Sequence, residues 1–202
     1  MDSTQFCWID CNVTPAAILE FWFGQPGSPE YGKNRAVWFK KDPSFDAEIR
    51  RQFLEVHVHA CAGRLADWHH GTESRLALIL VLDQFSRNMF RGQPASFTSD
   101  AEALRLARQL VTQGLDATLL PVMRSFVYLP FEHSESLADQ DEAVRLFALL
   151  AQEPGMEALL GWAEKHREVI RRFGRFPHRN AMLGRESTAL ELVFLAQPGS
   201  SF

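Results

Sequence analysis

Apolar residues recur along this chain at spacings of three and four. Phe45, Ile49, Phe53, Val56 and Ala60 trace one such face, and Leu159, Trp162, Ala163, His166, Val169, Ile170 and Phe173 trace another. That period marks an amphipathic α-helix, whereas a half-buried strand alternates every second residue. No stretch sustains the alternation, so the pattern predicts an all-α protein without a sheet. Helix punctuation fits it. Thr14-Pro15 and Asp42-Pro43 supply an N-cap followed by proline at the first helical position, and Gly24, Gly114 and Gly174 supply stops. Ser99 with Glu102 and Thr188 with Glu191 have capping-box spacing, and Ser136 with Asp139 offers a similar start. Helices of this length joined by short turns predict stacked antiparallel hairpins. The Gly/Pro-rich stretch from Gly24 to Glu30 lies too near the start to separate two domains, so one domain is expected over residues 1–202.

Leu76 to Leu82 is apolar almost all round, which predicts a central, buried helix. Continued, the helix keeps Leu78, Leu82, Phe85 and Met89 on one stripe. The opposite stripe runs from Leu76 and Leu80 into Asp83, Arg87 and Arg91. Acid four residues before arginine is the favourable helical order, and charges on a buried helix need partners. Two other segments supply them. In Tyr128-Leu-Pro-Phe-Glu-His-Ser-Glu135 the proline is expected to kink or restart a helix, with Glu132 and Glu135 on nearly one face and His133 rotated away. In Gly174-Arg-Phe-Pro-His-Arg-Asn180, followed by Arg185, cations crowd a loop anchored by Phe176 and Pro177. Arg87 or Arg179 is therefore expected to face Glu132 or Glu135. The sequence Arg-Asn-x-x-x-Gly occurs at both Arg87-Asn88 and Arg179-Asn180, hinting that the two corners share surroundings.

Each segment has a bland and a functional reading. The acids can be a polar corner satisfied by neighbouring helices, or an acid–base pair if repulsion raises one pKa; Glu132, Glu135, His133 and His166 are the candidates. The loop cations can be helix-end charges, or an anion site built from Arg175, His178, Arg179, Asn180 and Arg185. His166 lies on an apolar stripe, where a hydrogen-bonded core histidine is the common case. His57 and His59 diverge on a helix, and His69-His70 falls at a turn. No diagnostic ligand spacing is present, so neither metal nor cofactor is expected.

Composition narrows the classes. Hydrophobic residues make up 46% and charged residues 23%, as in a folded globular protein. The formal charge of -4 argues against nucleic acid as the main partner. Sixteen Phe against two Tyr indicates rings used for packing. No apolar run is long enough to span a bilayer, and Met1 to Gln5 does not read as a secretory signal. Cys7 and Cys11 read as unrelated thiols and Cys61 as a small core residue. A cytoplasmic location is the expectation.

Five segments carry a family resemblance: Glu20-Phe-Trp-Phe-Gly24, Trp38 to Asp46, Leu82 to Gly92, Pro130 to Glu135 and Phe173 to Thr188. Over about residues 14–196 the chain resembles domain-of-unknown-function family 924, a mainly bacterial family. The resemblance implies an all-helical, tetratricopeptide-like superhelix and assigns no residue a catalytic role. Leu190 stands where the family commonly has an acidic residue, with Glu191 retained beside it.

Three functions compete. One is a domain that binds a small polar or anionic ligand or a peptide end in a pocket of Asp83, Arg87, Asn88, Arg91, Glu132, Glu135, Arg175, His178, Arg179, Asn180 and Arg185. Another is an enzyme using the Glu and His candidates in the same pocket. The third is a scaffold for a protein partner, its charge network purely structural. Neither nucleic acid nor membrane is an expected partner.

Overall fold

The computed structural model describes residues 13–200; Cys7, Cys11 and the segment from Met1 to Gln5 lie outside the described residues. Helix α1 (Pro15–Phe23) starts where Thr14 Oγ1 accepts the Ala17 N–H at 3.2 Å. Helix α2 (Pro43–Cys61) starts where Asp42 accepts from Ser44 and Phe45. Both caps satisfy N–H groups that a first turn leaves without partners. Helix α3 runs unbroken over 72–89, as an α segment (Thr72–Ile79), a π segment (Leu80–Phe85) and a closing α turn (Ser86–Met89). Then follow α4 (Asp100–Thr112), α5 (Pro121–Glu132), α6 (Leu137–Leu150), α7 (Glu157–Phe173) and α8 (Ala189–Leu195). No strand occurs among the described residues, as the apolar period predicts.

Helix α3 is the axis of the molecule, touching α1, α2, α4 and α5, and from α3 to α7 each helix packs on the next. Leu76 to Leu82 are at most 2% exposed, as their all-round apolarity requires. An aromatic knot formed by Trp22, Phe23, Trp38, Phe53, Phe85 and Phe126 joins α1, α2 and α5 to this axis. Arg35 closes α1 by donating to the carbonyls of Phe21 and Trp22 at 2.9 and 2.6 Å. A smaller apolar cluster of Val169, Ile170 and Phe176, with Phe173 and Phe194 against it, ties α7 to the loop 174–188 and to α8. No described helix is long and apolar enough to cross a membrane.

Several local expectations are corrected. Ser99 caps nothing with its side chain: its hydroxyl donates to Leu82 O at 2.6 Å, so the box with Glu102 is absent and Glu102 pairs with Arg105. Ser136 likewise makes no side-chain cap, and Asp139 binds Ser134 and Arg108 instead. The Thr188–Glu191 box does form. Pro130 lies within the last turn of α5, and the helix stops at Glu132 rather than restarting. Glu135 therefore sits in the following turn and shares no helical face with Glu132.

The π segment was not legible in the sequence. A π turn widens the helix, and such turns are frequent at functional sites. Here the Leu82 carbonyl within it accepts from both Ser86 and Ser99 hydroxyls, at 2.8 and 2.6 Å.

Candidate functional site

Asp83, within the π segment, is fully buried. Its Oδ1 accepts from His133 Nδ1 at 2.7 Å and lies 2.9 Å from Arg87 Nη1 in an ion pair, its Oδ2 accepts from Gln84 Nε2 at 2.6 Å, and its main-chain carbonyl accepts from Arg87 Nη1 at 2.9 Å. Burial alone would raise its pKa, but the Arg87 charge and the His133 and Gln84 hydrogen bonds outweigh that and hold the carboxyl well below the usual range. Asp83 is thus an ionised acceptor.

Arg87 is the hinge of the cluster. Besides Asp83, it grips Asp100 at the start of α4 with two N–H···O bonds of 2.9 Å each. Two carboxylates around one fork outweigh its own burial and raise its pKa. Arg179 reaches the same centre from the loop, but with a different balance. Its guanidinium lies 4.7 Å from the Phe97 ring and 4.5 Å from the Phe176 ring, with 8% side-chain exposure. Its one ion-pair contact among the described residues is to Asp100 Oδ2 at 3.5 Å, on the carboxylate that Arg87 already holds. It donates no hydrogen bond to any described residue, and its Nε is fully buried. Burial first, and repulsion from Arg87 second, push its pKa down to about 10. Arg179 stays a cation at neutral pH, with too little around it.

The repeated Arg-Asn corners do share surroundings. Arg87 and Arg179 both reach Asp100 and both approach Phe97, and Gly92 and Gly184 both take a positive φ. Their asparagines diverge, Asn88 donating to Asp46 and Asn180 to Ser187.

His133 and His178 are held neutral. Burial, then Arg87, lower the pKa of His133 against the pull of Asp83. Burial, then Arg179 and His166, push His178 down to about 4 from 6.5. For these groups the unfolded chain takes up protons near pH 6.5 while the folded chain does not. Their contribution is therefore intact above pH 6.5 and is lost as pH falls toward 4. His178 alone accounts for a loss on the order of 3 kcal/mol across that window. Urea unfolding at steps from pH 7.5 to 4.5 should show this decline, and His178→Phe should flatten it; an unchanged slope in the variant contradicts the assignment.

A second group of charges fastens the loop. Glu135 accepts the Phe176 N–H at 2.8 Å and both Arg185 amino groups at 2.7 and 3.0 Å. Arg185 also donates to Asn180 Oδ1 and Phe176 O, at 3.0 and 3.1 Å. At the loop's edges Arg175 holds Glu191 bidentately, and the Phe176 ring packs on His166. Glu135→Gln should lower stability by about 2–3 kcal/mol, since it weakens a partly buried charge pair and a backbone cap together. Arg185→Met should cost a similar amount and the double variant less than the sum. Additive losses in urea unfolding would mean that the two groups do not act as a pair.

The expectation that Arg87 or Arg179 directly pairs with Glu132 or Glu135 is corrected. Glu132 is buried against His166, 3.0 Å from its Nδ1, and Glu135 belongs to Arg185, although its charge still acts on Arg179. Asn88 and Arg91 stand apart on Asp46 of α2, with Arg91 making two contacts of 2.8 Å. Asp83, Arg87, His133 and Arg179 do come together; Asp100 joins them unforeseen, because its place in a helix's first turn already had a local explanation. Two cavities of about 600 Å³ lie elsewhere, one lined by Cys61, Leu65, His69 and Leu82, the other by Thr14, Leu19, Thr72 and Leu119. The charged cluster opens instead at its rim, where the Arg87 and Asp100 side chains are about a fifth exposed. No cluster of three metal-ligating side chains occurs among the described residues.

The sequence profile of a family described as "Bacterial protein of unknown function (DUF924)" matches residues 18–199. A solved structure, that of the protein of unknown function ATU0120 from Agrobacterium tumefaciens, is similar at 38% identity and a TM-score of 0.78, over 90% of this chain and 96% of that one. No curated protein matches.

Proposed function

The chain belongs to the DUF924 family of bacterial proteins of unknown function, and we propose that it is a ligand-binding helical domain whose Arg179 takes the anionic group of a small polar molecule. The supporting observation is the state of Arg179. A guanidinium carries five donors, yet this one is buried, donates no hydrogen bond to a described residue, and shares a carboxylate with Arg87 at 3.5 Å. Phe97 and Phe176 attract its charge but offer no oxygen acceptor. Leaving a buried cation so poorly matched is costly, and an incoming carboxylate or phosphate would supply the missing oxygens in the geometry that arginine favours. The rim at Arg87 and Asp100 is the route of approach. A cytoplasmic setting suits the unpaired, exposed Cys61.

The scaffold reading draws support from a different surface, the exposed Leu190, Leu192 and Val193 of α8. It leaves the state of Arg179 unexplained.

Calorimetric titration of the whole chain with inorganic phosphate tests the proposal. Saturable binding is expected, weakened by roughly 10–100-fold in Arg179→Met, the worth of a charge-assisted hydrogen bond. Absence of saturable binding, or equal binding by the variant, rejects it.

A further inference from the structure

A cysteine and a histidine meet on the wall of a cavity, away from the arginine cluster. Cys61 ends α2 and is exposed, not the small core residue that its Ala-rich surroundings suggest. Its Sγ lies 3.6 Å from Nε2 and 3.9 Å from Nδ1 of His57, one turn earlier on the same helix. His57 is buried, its ring 5.4 Å from that of Phe90, and its Nε2 is 2.7 Å from Ser86 Oγ. The Ser86 hydroxyl donates its hydrogen to the Leu82 carbonyl of the π segment at 2.8 Å. Ser86 Oγ therefore accepts from the ring, whose hydrogen sits on Nε2. The lone pair is left on Nδ1, the nitrogen 3.9 Å from the thiol. Burial lowers the His57 pKa and raises that of Cys61, which leaves a thiol beside a neutral base. Nucleophile, base and orienting group thus follow one another in contact, the order that an activated thiol requires.

The cavity that Cys61 lines has a volume of about 620 Å³, within the range of small-molecule sites. Leu65, Leu78 and Leu82 give it apolar walls, and Glu102 on the wall is neutralised by two bonds from Arg105, of 2.7 and 2.6 Å. His69, also on the wall, has its Nδ1 3.5 Å from Arg105 Nη2. It accepts there and carries a hydrogen on Nε2, a donor suited to a carbonyl oxygen. We infer that this is a covalent capture site for small uncharged α,β-unsaturated carbonyl compounds, with Cys61 as nucleophile and His57 as its base. The Cys61 S–H proton passes to His57 Nδ1 as sulfur bonds to the β-carbon. The electron pair of the C=C bond moves to the α-carbon, which takes the proton back from His57. Nothing is oxidised or reduced, and no co-reactant is needed. Ser86 is a positioning residue: with the Leu82 carbonyl behind it, it fixes which ring nitrogen is the base.

The test is the rate at which cyclohexenone modifies the whole chain at pH 7.5, with the Cys61 peptide followed by mass spectrometry. The rate at Cys61 should saturate with ketone concentration and exceed that of N-acetylcysteine by roughly 100-fold, the contribution of a positioned base. A cyclohexenone bearing a carboxylate should not saturate. His57→Phe should lower the limiting rate by roughly 100-fold and leave the half-saturating concentration unchanged, because the base acts on the chemical step and not on binding. Nitrogen-15 NMR of the unaltered chain provides a readout that needs no variant to fold: His57 should carry its hydrogen on Nε2. A Cys61 rate that stays linear in ketone, equal saturation by the charged ketone, an undiminished rate in His57→Phe, or hydrogen on Nδ1 would each overturn the inference. The anion titrations bear on Arg179 alone, so neither result decides the other.

Discussion

Arg87→Met is expected to lower the unfolding free energy by about 3–5 kcal/mol, the cost of stranding a buried charge. Arg87 is what keeps Asp83 ionised inside the protein, and it ties that carboxylate to Asp100 on the next helix. Without it Asp83 retains only His133 and Gln84 as donors. The variant should also acquire a distinctive pH response. Burial lowers the His133 pKa most, and Arg87 is the charge that most opposes its protonation; once Arg87 is gone, that pKa should rise toward its unfolded value. A histidine with a lowered pKa costs the unaltered chain stability as pH falls below the unfolded value, and the variant is relieved of part of that cost. The penalty measured by urea unfolding should therefore be larger at pH 8 than at pH 6. Asp83→Asn in the same background should restore part of the loss. A penalty below about 1 kcal/mol at both pH values would mean that the cluster is solvated and that its charges are ordinary surface groups.

Arg179→Met is expected to behave in the opposite sense. The guanidinium has one long ion pair and no hydrogen bond among the described residues, so its removal strands little. Asp100 keeps both of its bonds to Arg87. Methionine can occupy the space beside Phe97 and Phe176 with a sulfur–aromatic contact in place of the cation–π one. Stability without ligand should stay within about 1 kcal/mol of the unaltered chain, or exceed it, as happens when a buried charge gives way to an apolar residue. Anion binding should weaken by roughly 10–100-fold. Two arginines that approach the same carboxylate thus carry opposite predictions, one for folding and one for function.

The helical architecture was legible because it is written in local signals. The apolar period, the Thr14-Pro15 and Asp42-Pro43 starts, and the all-round apolarity of Leu76 to Leu82 concern residues within a turn or two of one another. The Asp83–Arg87 pair was legible for the same reason, being one helical turn long. What the sequence left open was which acid meets which base across space. Glu135 and Asp100 are both acids within a few residues of a helix end, and nothing local distinguishes the one bound by Arg185 from the one bound by Arg87. Arg91 continues the stripe of Asp83 and Arg87 in an ideal helix. The π segment and the end of α3 at Met89 turn it toward Asp46 instead. His133 was visible as a candidate, but its role depends on Asp83, fifty positions away in the chain. The shared Arg-Asn-x-x-x-Gly pattern was the one long-range hint, and its two arginines do meet at Asp100.

Urea unfolding of the unaltered chain and of Arg179→Met, each across a phosphate series at constant ionic strength, tests the central claim most directly. A ligand that binds only the folded state adds stability as RT ln(1 + [L]/Kd), about 2.7 kcal/mol at one hundred times Kd. The account predicts that without phosphate the variant lies within about 1 kcal/mol of the unaltered chain or above it, and that the logarithmic gain with phosphate begins in the variant only at roughly 10–100-fold higher concentration. It is contradicted if Arg179→Met is already destabilised by several kcal/mol without phosphate while phosphate stabilises neither protein, for Arg179 would then be a structural ion and not a site.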